Sequence, residues 1–120
     1  MRFSDELRDR TKQYASAVVR YYTGLPRERR EVEVLGHQWL RSGTSVAANA
    51  REASRARSDA EFIAKIGILL QEADESALWL ELLVESCHFP SEANSALQQE
   101  TNELIAIFTT IVSKVRQNLQ

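Results

Sequence analysis

Two long helical patterns, separated by only a few residues, constrain the fold of this chain more than any other feature. At about 100° per residue, the angle set by 3.6 residues per turn, the apolar side chains of each pattern fall on one stripe. The first stripe contains Val32, Leu35, Trp39, Val46, Ala50 and Ala53, and the second contains Phe62, Ile66, Leu69, Leu70, Ala73, Ala77, Leu80 and Val84. Because short connections in bundles join antiparallel neighbours, we predict that the two helices form a hairpin.

Helix-ending signals predict one further helix on each side of this hairpin. Ser4 is a favoured N-cap residue, and Gly24 with Pro26 ends the helix that follows Ser4. Pro90 ends the third helix, and Ser91 is the expected N-cap of the fourth. No alternating strand pattern is present, so we predict a single all-α domain over residues 1–120, an antiparallel up-down-up-down four-helix bundle. Its helices are expected near residues 4–23, 27–56, 59–87 and 92–117.

Three residues of the hairpin carry local predictions. Ser58 and Glu61 have the spacing of a capping box, in which Ser58 accepts a bond from a free amide and Glu61 reaches back. Gly43 lies inside the second helix, where Gly costs about 1 kcal/mol relative to Ala. Since Gly43 is close to the core stripe, we expect it to allow close packing against a neighbouring helix, with a kink as the alternative.

The second predicted helix also carries a stripe of small and polar side chains beside its core stripe. Its members, spaced four, three, four and three, are Gln38, Ser42, Ser45, Asn49 and Glu52. One interpretation is a solvated face; the other is a surface on which another helix approaches closely and polar atoms bond across the contact. On the second interpretation, Ser42, Ser45 and Asn49 belong to an oligomer interface.

Large apolar side chains off the core stripe of the third helix also indicate a contact surface. These residues are Ile68, Trp79, Leu82 and Leu83. They are either scattered surface residues or part of an apolar patch of the kind that marks a protein interface. A tryptophan among them favours the interface, because aromatic residues are enriched there. We therefore predict that these four residues take part in self-association.

Charge is distributed unevenly along the chain, although the net charge is only −2. Residues 1–58 contain 12 Lys and Arg against 7 Asp and Glu, whereas residues 59–120 contain 3 against 10. Such asymmetry indicates either a basic patch for nucleic acid or complementary surfaces that meet when copies assemble. The candidate residues for binding nucleic acid or a partner form two clusters: Arg51, Arg55 and Arg57, and Arg27, Arg29 and Arg30.

The hairpin is expected to place these two arginine clusters at opposite ends of the bundle. The competing interpretation is that the arginines are helix-end charges that pair with Asp59, Glu61 or an acidic helix of another copy. No aromatic residue is interleaved with Arg51, Arg55 and Arg57, so sequence-specific recognition of single strands is not expected.

No constellation of catalytic or metal-binding residues is visible in the sequence. Glycine-rich phosphate loops are absent, and His37 and His88 have no partners at metal-ligand spacing. Cys87 adjoins His88, but adjacent helical residues point about 100° apart and do not face each other. We therefore expect no enzymatic activity and no cofactor.

Carboxylates of the third helix invite a comparison with di-iron bundles, which need Glu-x-x-His motifs that this chain lacks. Glu72 and Glu75 are instead expected to pair with Arg41 or to bond the polar stripe.

The lone Cys87 excludes an intramolecular disulfide. Neither a signal peptide nor an apolar run long enough for a membrane span is present, so we expect a cytoplasmic protein with no membrane partner.

Two motifs at fixed separation carry a family resemblance. Leu-Arg-Ser-Gly-Thr-Ser-Val-Ala-Ala-Asn at residues 40–49 is followed by Leu-Gln-Glu-Ala-Asp-Glu-Ser at residues 70–76, with Trp79 and Leu80 beyond. These stretches resemble the four-helix-bundle proteins of the 23S rRNA intervening-sequence (S23) family, and the close likeness covers about half of the chain. The resemblance implies no established catalytic activity, pentameric rings of bundles, and a proposed role in nucleic-acid binding.

Two classes of function therefore remain open. The favoured class is a non-enzymatic assembly module, a ring of identical subunits that we expect to number five. Its basic rim is expected to bind RNA, DNA or a partner protein. The alternative is an enzyme or ligand carrier whose site lies between subunits and leaves no sequence motif. The absence of a catalytic constellation favours the assembly module.

Overall fold

The computed structural model of the chain, which describes residues 3–88 and 92–119, consists of four α-helices. In chain order they are α1 (Asp5–Thr23), α2 (Arg30–Ser54), α3 (Asp59–Ser86) and α4 (Glu92–Asn118). No strand occurs in the described residues, and the predicted all-α class is confirmed. The largest difference in bounds is the start of α2, predicted near residue 27. Residues 26–29 form a turn instead, in which the Arg29 N–H donates to the Pro26 carbonyl at 3.3 Å.

Contacts between the helices establish their directions. Arg29, just before α2, bonds Cys87, just after α3. Further along α2, Arg41 pairs with Glu72 and Glu52 pairs with Lys65 of α3. One residue number rises as the other falls, so α2 and α3 are antiparallel. Phe3 packs on Phe62 and Phe108, and further along α1 Tyr14 bonds Ser76 and Thr101. By the same reasoning α1 runs parallel to α3 and antiparallel to α4, as the up-down-up-down arrangement requires.

The bundle is an elongated body of 50 × 21 × 20 Å with a single apolar core along its axis. Each helix packs against its neighbours in the chain, α1 also contacts α4, and the contact between α2 and α3 is the most extensive. Trp39 of α2, Phe62 of α3 and Phe108 of α4 are the largest fully buried side chains. The ring of Phe3 meets that of Phe108 edge-on at 5.5 Å between centroids, which closes one end of the core.

Side-chain caps fix the starts of α1 and α3. The Ser4 Oγ accepts a bond from the backbone N–H three residues later at 3.1 Å, as predicted. The Ser58 Oγ accepts from the Glu61 N–H at 3.0 Å. The Glu61 carboxylate reaches back to the N–H of Arg57 (3.1 Å) rather than to that of Ser58, so the box spans one residue more than expected. The predicted cap Ser91 lies outside the described residues.

Gly43 lets α1 pack closely against α2. A Cβ atom at this position would lie 3.0 Å from both γ-carbons of the fully buried Val18. The α-helix continues through Gly43 without interruption. The prediction of close packing is therefore confirmed, and the missing side chain lets the two backbones come together.

A buried chain of hydroxyl groups connects three of the helices. The Tyr14 hydroxyl of α1 lies 2.9 Å from the Ser76 Oγ of α3 and 2.7 Å from the Thr101 Oγ1 of α4. Because Thr101 donates its own proton to the Leu97 carbonyl at 2.7 Å, Tyr14 donates to Thr101 and accepts from Ser76. Every hydroxyl is thereby satisfied in the core, and the relative register of the three helices is fixed.

Gly43→Ala is expected to destabilise the fold. The added methyl group meets Val18, a buried β-branched side chain with little freedom to move, and we expect a loss of about 1 to 2 kcal/mol in the free energy of unfolding. Gly67→Ala is the matched control, because a Cβ at this exposed position meets no atom within 4 Å. It should gain about 0.5 to 1 kcal/mol from helix propensity. Urea denaturation measures both changes, and equal stabilities for Gly43→Ala and wild type would contradict the close contact.

Tyr14→Phe is expected to lower the free energy of unfolding by about 1 to 3 kcal/mol, because it removes a hydrogen-bond partner from both Ser76 and Thr101 in the core.

The same variant is expected to change how stability depends on pH. Burial raises the pKa of Tyr14 above its ordinary value of about 10, so the folded state holds the phenolic proton more tightly than the unfolded state. The stability due to this group is complete below about pH 10 and is lost as the pH rises through the folded-state pKa. Unfolding measured from neutral to alkaline pH should show a steeper decline for wild type than for Tyr14→Phe, and parallel curves would argue against the effect.

Candidate functional site

Cationic side chains from three helices and the turn between α2 and α3 surround one open groove of about 800 Å³. The groove lies at the end of the bundle where α1 begins, α2 ends and α3 begins. Its cations, which define what we call the basic groove, are Arg8, Lys12, Arg51, Arg55, Arg57 and Lys65. Two carboxylates, those of Glu52 and Glu61, also line it.

Helical spacing and topology explain why these cations meet. Arg8 and Lys12 are four residues apart on α1, so both side chains lie on one face, one turn apart. Arg51 and Arg55 have the same spacing at the end of α2. Because α1 and α2 are antiparallel neighbours, the beginning of the first lies beside the end of the second. The short turn into α3 then brings Arg57 to the same place.

Small side chains form the floor of the basic groove. Ala47 and Ala48, both on α2, lie between the charged residues that line it. Thr11 of α1 is buried beside them and donates its hydroxyl proton to the Arg8 carbonyl at 2.7 Å. The groove is therefore a depression bounded by long cationic side chains.

Four of the six groove cations take part in no ion pair within the described residues. Glu52 pairs with Lys65 at 3.5 Å, and the Glu61 carboxylate bonds the backbone of Arg57 rather than its guanidinium. Within the described residues, the guanidinium groups of Arg51, Arg55 and Arg57 form no ion pair. The interpretation that these arginines pair with Glu61 is thus not what the structure shows.

The other arginine cluster lies at the far end of the bundle and supports the turn between α1 and α2. The Arg27 guanidinium lies over the Tyr22 ring, 5.2 Å from its centroid. Arg29 pairs with Glu31 at 2.8 Å and donates to the Cys87 carbonyl at 3.1 Å. Bonds from the Glu31 backbone N–H and from Arg29 hold the pKa of the Glu31 carboxyl below its ordinary value. Arg30 is exposed at the first turn of α2. None of these three arginines joins the basic groove.

The polar stripe of α2 faces α3 within the same chain. Glu52, a member of this stripe, pairs with Lys65 of α3, and Ser42 and Asn49 are buried. The Ser42 hydroxyl donates to backbone carbonyls of its own helix, and Asn49 donates to the Ser45 carbonyl at 2.9 Å. A helix does contact this stripe, but it is a helix of the same chain. Glu52 bonds across the contact, whereas the bonds of Ser42 and Asn49 stay within α2. Placing Ser42 and Asn49 at an exposed oligomer interface was wrong; Ser45 is half-buried.

The predicted apolar surface of α3 is only partly exposed. Ile68 is 42% exposed, Leu82 is half-buried, and Trp79 packs against the core from its edge. Leu83 is 1% exposed and belongs to the core, so its predicted outward position was wrong. Leu83 follows Leu80 by three residues and shares its buried face. The structure also reveals Leu78, 46% exposed on the outward face, which the sequence analysis missed.

The expected pairing of α3 carboxylates with Arg41 is confirmed, at 3.3 Å to Glu72 and 3.7 Å to Glu75. Arg41 and Glu75 are 48% and 39% exposed, whereas Glu72 is 15% exposed, so we expect the network to add only modestly to stability. Across residues 3–88 and 92–119, no group of three or more His, Cys, Asp or Glu residues is placed to hold a metal ion. None of the helices, as far as they are described, is long and apolar enough to span a bilayer.

Comparison with known proteins identifies the family. The family model described as 23S rRNA-intervening sequence protein matches residues 6–110. A crystal structure from Bacteroides thetaiotaomicron, of a protein with unknown function from the S23 ribosomal protein family, is similar with a TM-score of 0.80 and 37% identity. The match covers 88% of this chain and 97% of that one. No curated protein matches the sequence. On the family match and the shared four-helix fold together, this chain belongs to the 23S rRNA-intervening sequence protein family.

Proposed function

We propose that this chain is a non-enzymatic helical-bundle module that self-associates and binds the phosphate backbone of RNA through the basic groove. The observation that carries the proposal is the convergence of six cations from three helices and the turn between α2 and α3, with Arg51, Arg55 and Arg57 free of ion pairs in the described part of the chain. Lys and Arg side chains that neutralise phosphates supply most of the affinity in non-specific nucleic-acid binding.

RNA is favoured among polyanions for two reasons. The family is named for an intervening sequence of 23S rRNA, and arginine is suited to bidentate contacts with phosphate oxygens. No aromatic side chain lines the described groove, so bases have no stacking platform there. Recognition therefore runs through the backbone and has little sequence preference. An RNA ligand also accords with a cytoplasmic location, which we propose for the protein.

Self-association is supported by the outward face of α3. Ile68 and Leu78 are both more than 40% exposed, and Leu82 lies on the same face. A contact that joins this face to a different surface of the next copy closes into a ring when the rotation allows it. Following the resemblance to S23-family rings, we propose five subunits. A ring multiplies the basic groove around one rim, which raises the number of phosphates engaged by one assembly.

Replacing Arg51, Arg55 and Arg57 together by Gln should weaken RNA binding and reduce its dependence on salt. Each lost phosphate contact lowers the slope of log Kd against log salt by about 0.7 to 0.9, so three lost contacts lower it by about 2 to 3. Fluorescence anisotropy with a structured RNA, measured across a range of salt concentrations, gives both quantities. The matched control replaces Arg20, Arg27 and Arg30 by Gln, which removes the same charge from the far end of the bundle.

The control triple variant should bind nearly as wild type does. Equal losses in both triple variants would show that binding follows total charge rather than the groove. If wild type shows no salt-sensitive binding to RNA at low ionic strength, the RNA proposal is wrong. Salt-sensitive binding to DNA or to an acidic protein with no binding to RNA would redirect the groove to that partner.

Ile68→Lys combined with Leu78→Lys should dissociate the oligomer without loss of helicity. Two buried lysines at a subunit interface would leave unpaired charges, whereas both positions face solvent in the single chain. Light scattering reports the mass and circular dichroism reports helix content. Val19→Lys, at a similarly exposed apolar residue of α1 (41%), serves as the control and should retain the wild-type mass. A double variant with unchanged mass would remove this face of α3 from the interface.

A further inference from the structure

The charge of the basic groove is concentrated around one concave site. The molecule is 50 Å long, yet the six cations come only from the beginning of α1, the end of α2, the turn that follows it and the beginning of α3. A basic patch is a common footprint for nucleic-acid phosphates. This patch is also short and concave, so a compact anion is able to contact cations on several sides of the open groove at once.

Four cations of the groove form no ion pair in the described part of the chain, and the Glu61 carboxylate, which bonds a backbone N–H, offsets one of these four charges. In the described part of the chain, ion pairs engage Arg8 and Lys65. Those left without one are Lys12, Arg51, Arg55 and Arg57. A single phosphate ester supplies about two negative charges at neutral pH, fewer than the three positive charges that remain when the Glu61 carboxylate is subtracted from the four cations. A triphosphate ester supplies about four, two on its terminal group and one on each of the other two groups. Inorganic tripolyphosphate, which has two terminal groups, supplies a similar number.

Shape and lining agree with an oligophosphate. A volume of about 800 Å³ is within the range of small-ligand sites, roughly 300 to 1,000 Å³. Because Ala47 and Ala48 have small side chains, an anion is able to enter the groove between the cations. With no aromatic ring among the described lining residues, the site recognises phosphate charge rather than an attached base.

We infer that the basic groove is a site for a compact oligophosphate, a chain of three or more linked phosphates. The inference rests on the proposed function in that both place phosphate oxygens in this groove. The same chemistry is presented by inorganic tripolyphosphate, by free nucleoside triphosphates and by the 5′-triphosphate end of an RNA. Such a ligand competes with the RNA backbone for Arg51, Arg55 and Arg57, which makes RNA binding dependent on the oligophosphate concentration.

Titration calorimetry with inorganic tripolyphosphate and with orthophosphate, at one fixed ionic strength, tests the inference. We expect tripolyphosphate to bind more tightly by about tenfold or more, because more charge-assisted bonds form at once. Ala48→Glu puts a carboxylate on the exposed floor of the groove and should weaken tripolyphosphate binding by about tenfold. Val34→Glu, at an exposed position nearer the other end of α2, is the matched control and should leave binding unchanged. Equal affinities for the two phosphates, or equal losses in the two variants, would overturn the inference.

Three further ligands separate the sources and separate this inference from the proposed function. They are ATP and one RNA prepared with either a 5′-triphosphate or a 5′-hydroxyl end. ATP binding as tightly as tripolyphosphate assigns the site to free nucleotides, whereas a preference for the 5′-triphosphate RNA assigns it to RNA ends. Salt-sensitive binding of the 5′-hydroxyl RNA without tripolyphosphate binding refutes the inference and leaves the proposed function intact. Tripolyphosphate binding without binding of either RNA refutes the proposed function and keeps the oligophosphate site.

Discussion

The alternation of buried residues every four and three positions is the constraint on which the rest of this bundle depends. Along α3 and just beyond it, the buried residues are Phe62, Ile66, Leu69, Ala73, Ser76, Leu80, Leu83 and Cys87. Along α2, the series with the same spacing is Val32, Gly36, Trp39, Gly43, Val46, Ala50 and Ala53. A spacing of seven residues per two turns is slightly shorter than the natural period of the helix, so an ideal straight helix drifts by about 20° per heptad. Helices that keep such stripes in contact over their full length must wind gently around one another, as they do in four-helix bundles.

This difference of period explains which buried positions were predicted wrongly, whereas local signals explain what was predicted correctly. Helix number, order and direction follow from strong local signals: the caps Ser4 and Ser58, the Gly24–Pro26 stop, and turns too short for anything but antiparallel neighbours. All four helices are accordingly found within about three residues of their expected bounds. Leu83 was misplaced because angles at 3.6 residues per turn accumulate an error of about 60° over the three heptads from Phe62. The same error put Ala77 and Val84 in the core, whereas both are half-buried at its edge.

The candidate site was predictable only in part, because some of its residues come together only through the packing of the helices. The shared face of Arg51 and Arg55 is a local property, so helical spacing was sufficient to group them. Arg8, Lys12 and Lys65 join them only because α1 and α3 begin where the antiparallel α2 ends, and no sequence signal beyond that topology indicates it. A helix contact was one of two interpretations of the polar stripe on α2, and the side chains alone do not say which helix makes that contact. The extensive contact of α2 with α3 decides that question in favour of the chain itself.

The packing of small residues and the charge of the groove are physically linked. Gly43 removes the side chain that would hold α1 away from α2, and Ala47, one turn further along, continues this low surface into the floor of the groove. The two helices consequently approach closely enough for Arg8 and Lys12 to share a site with Arg51 and Arg55. Bringing like charges together opposes folding, and the apolar contact at Val18 together with the satisfied hydroxyls around Tyr14 offsets that repulsion from behind the groove. A larger residue at position 43 would therefore both weaken the core and move the cations apart, so the geometry of the site is determined by the same close contact that stabilises the bundle.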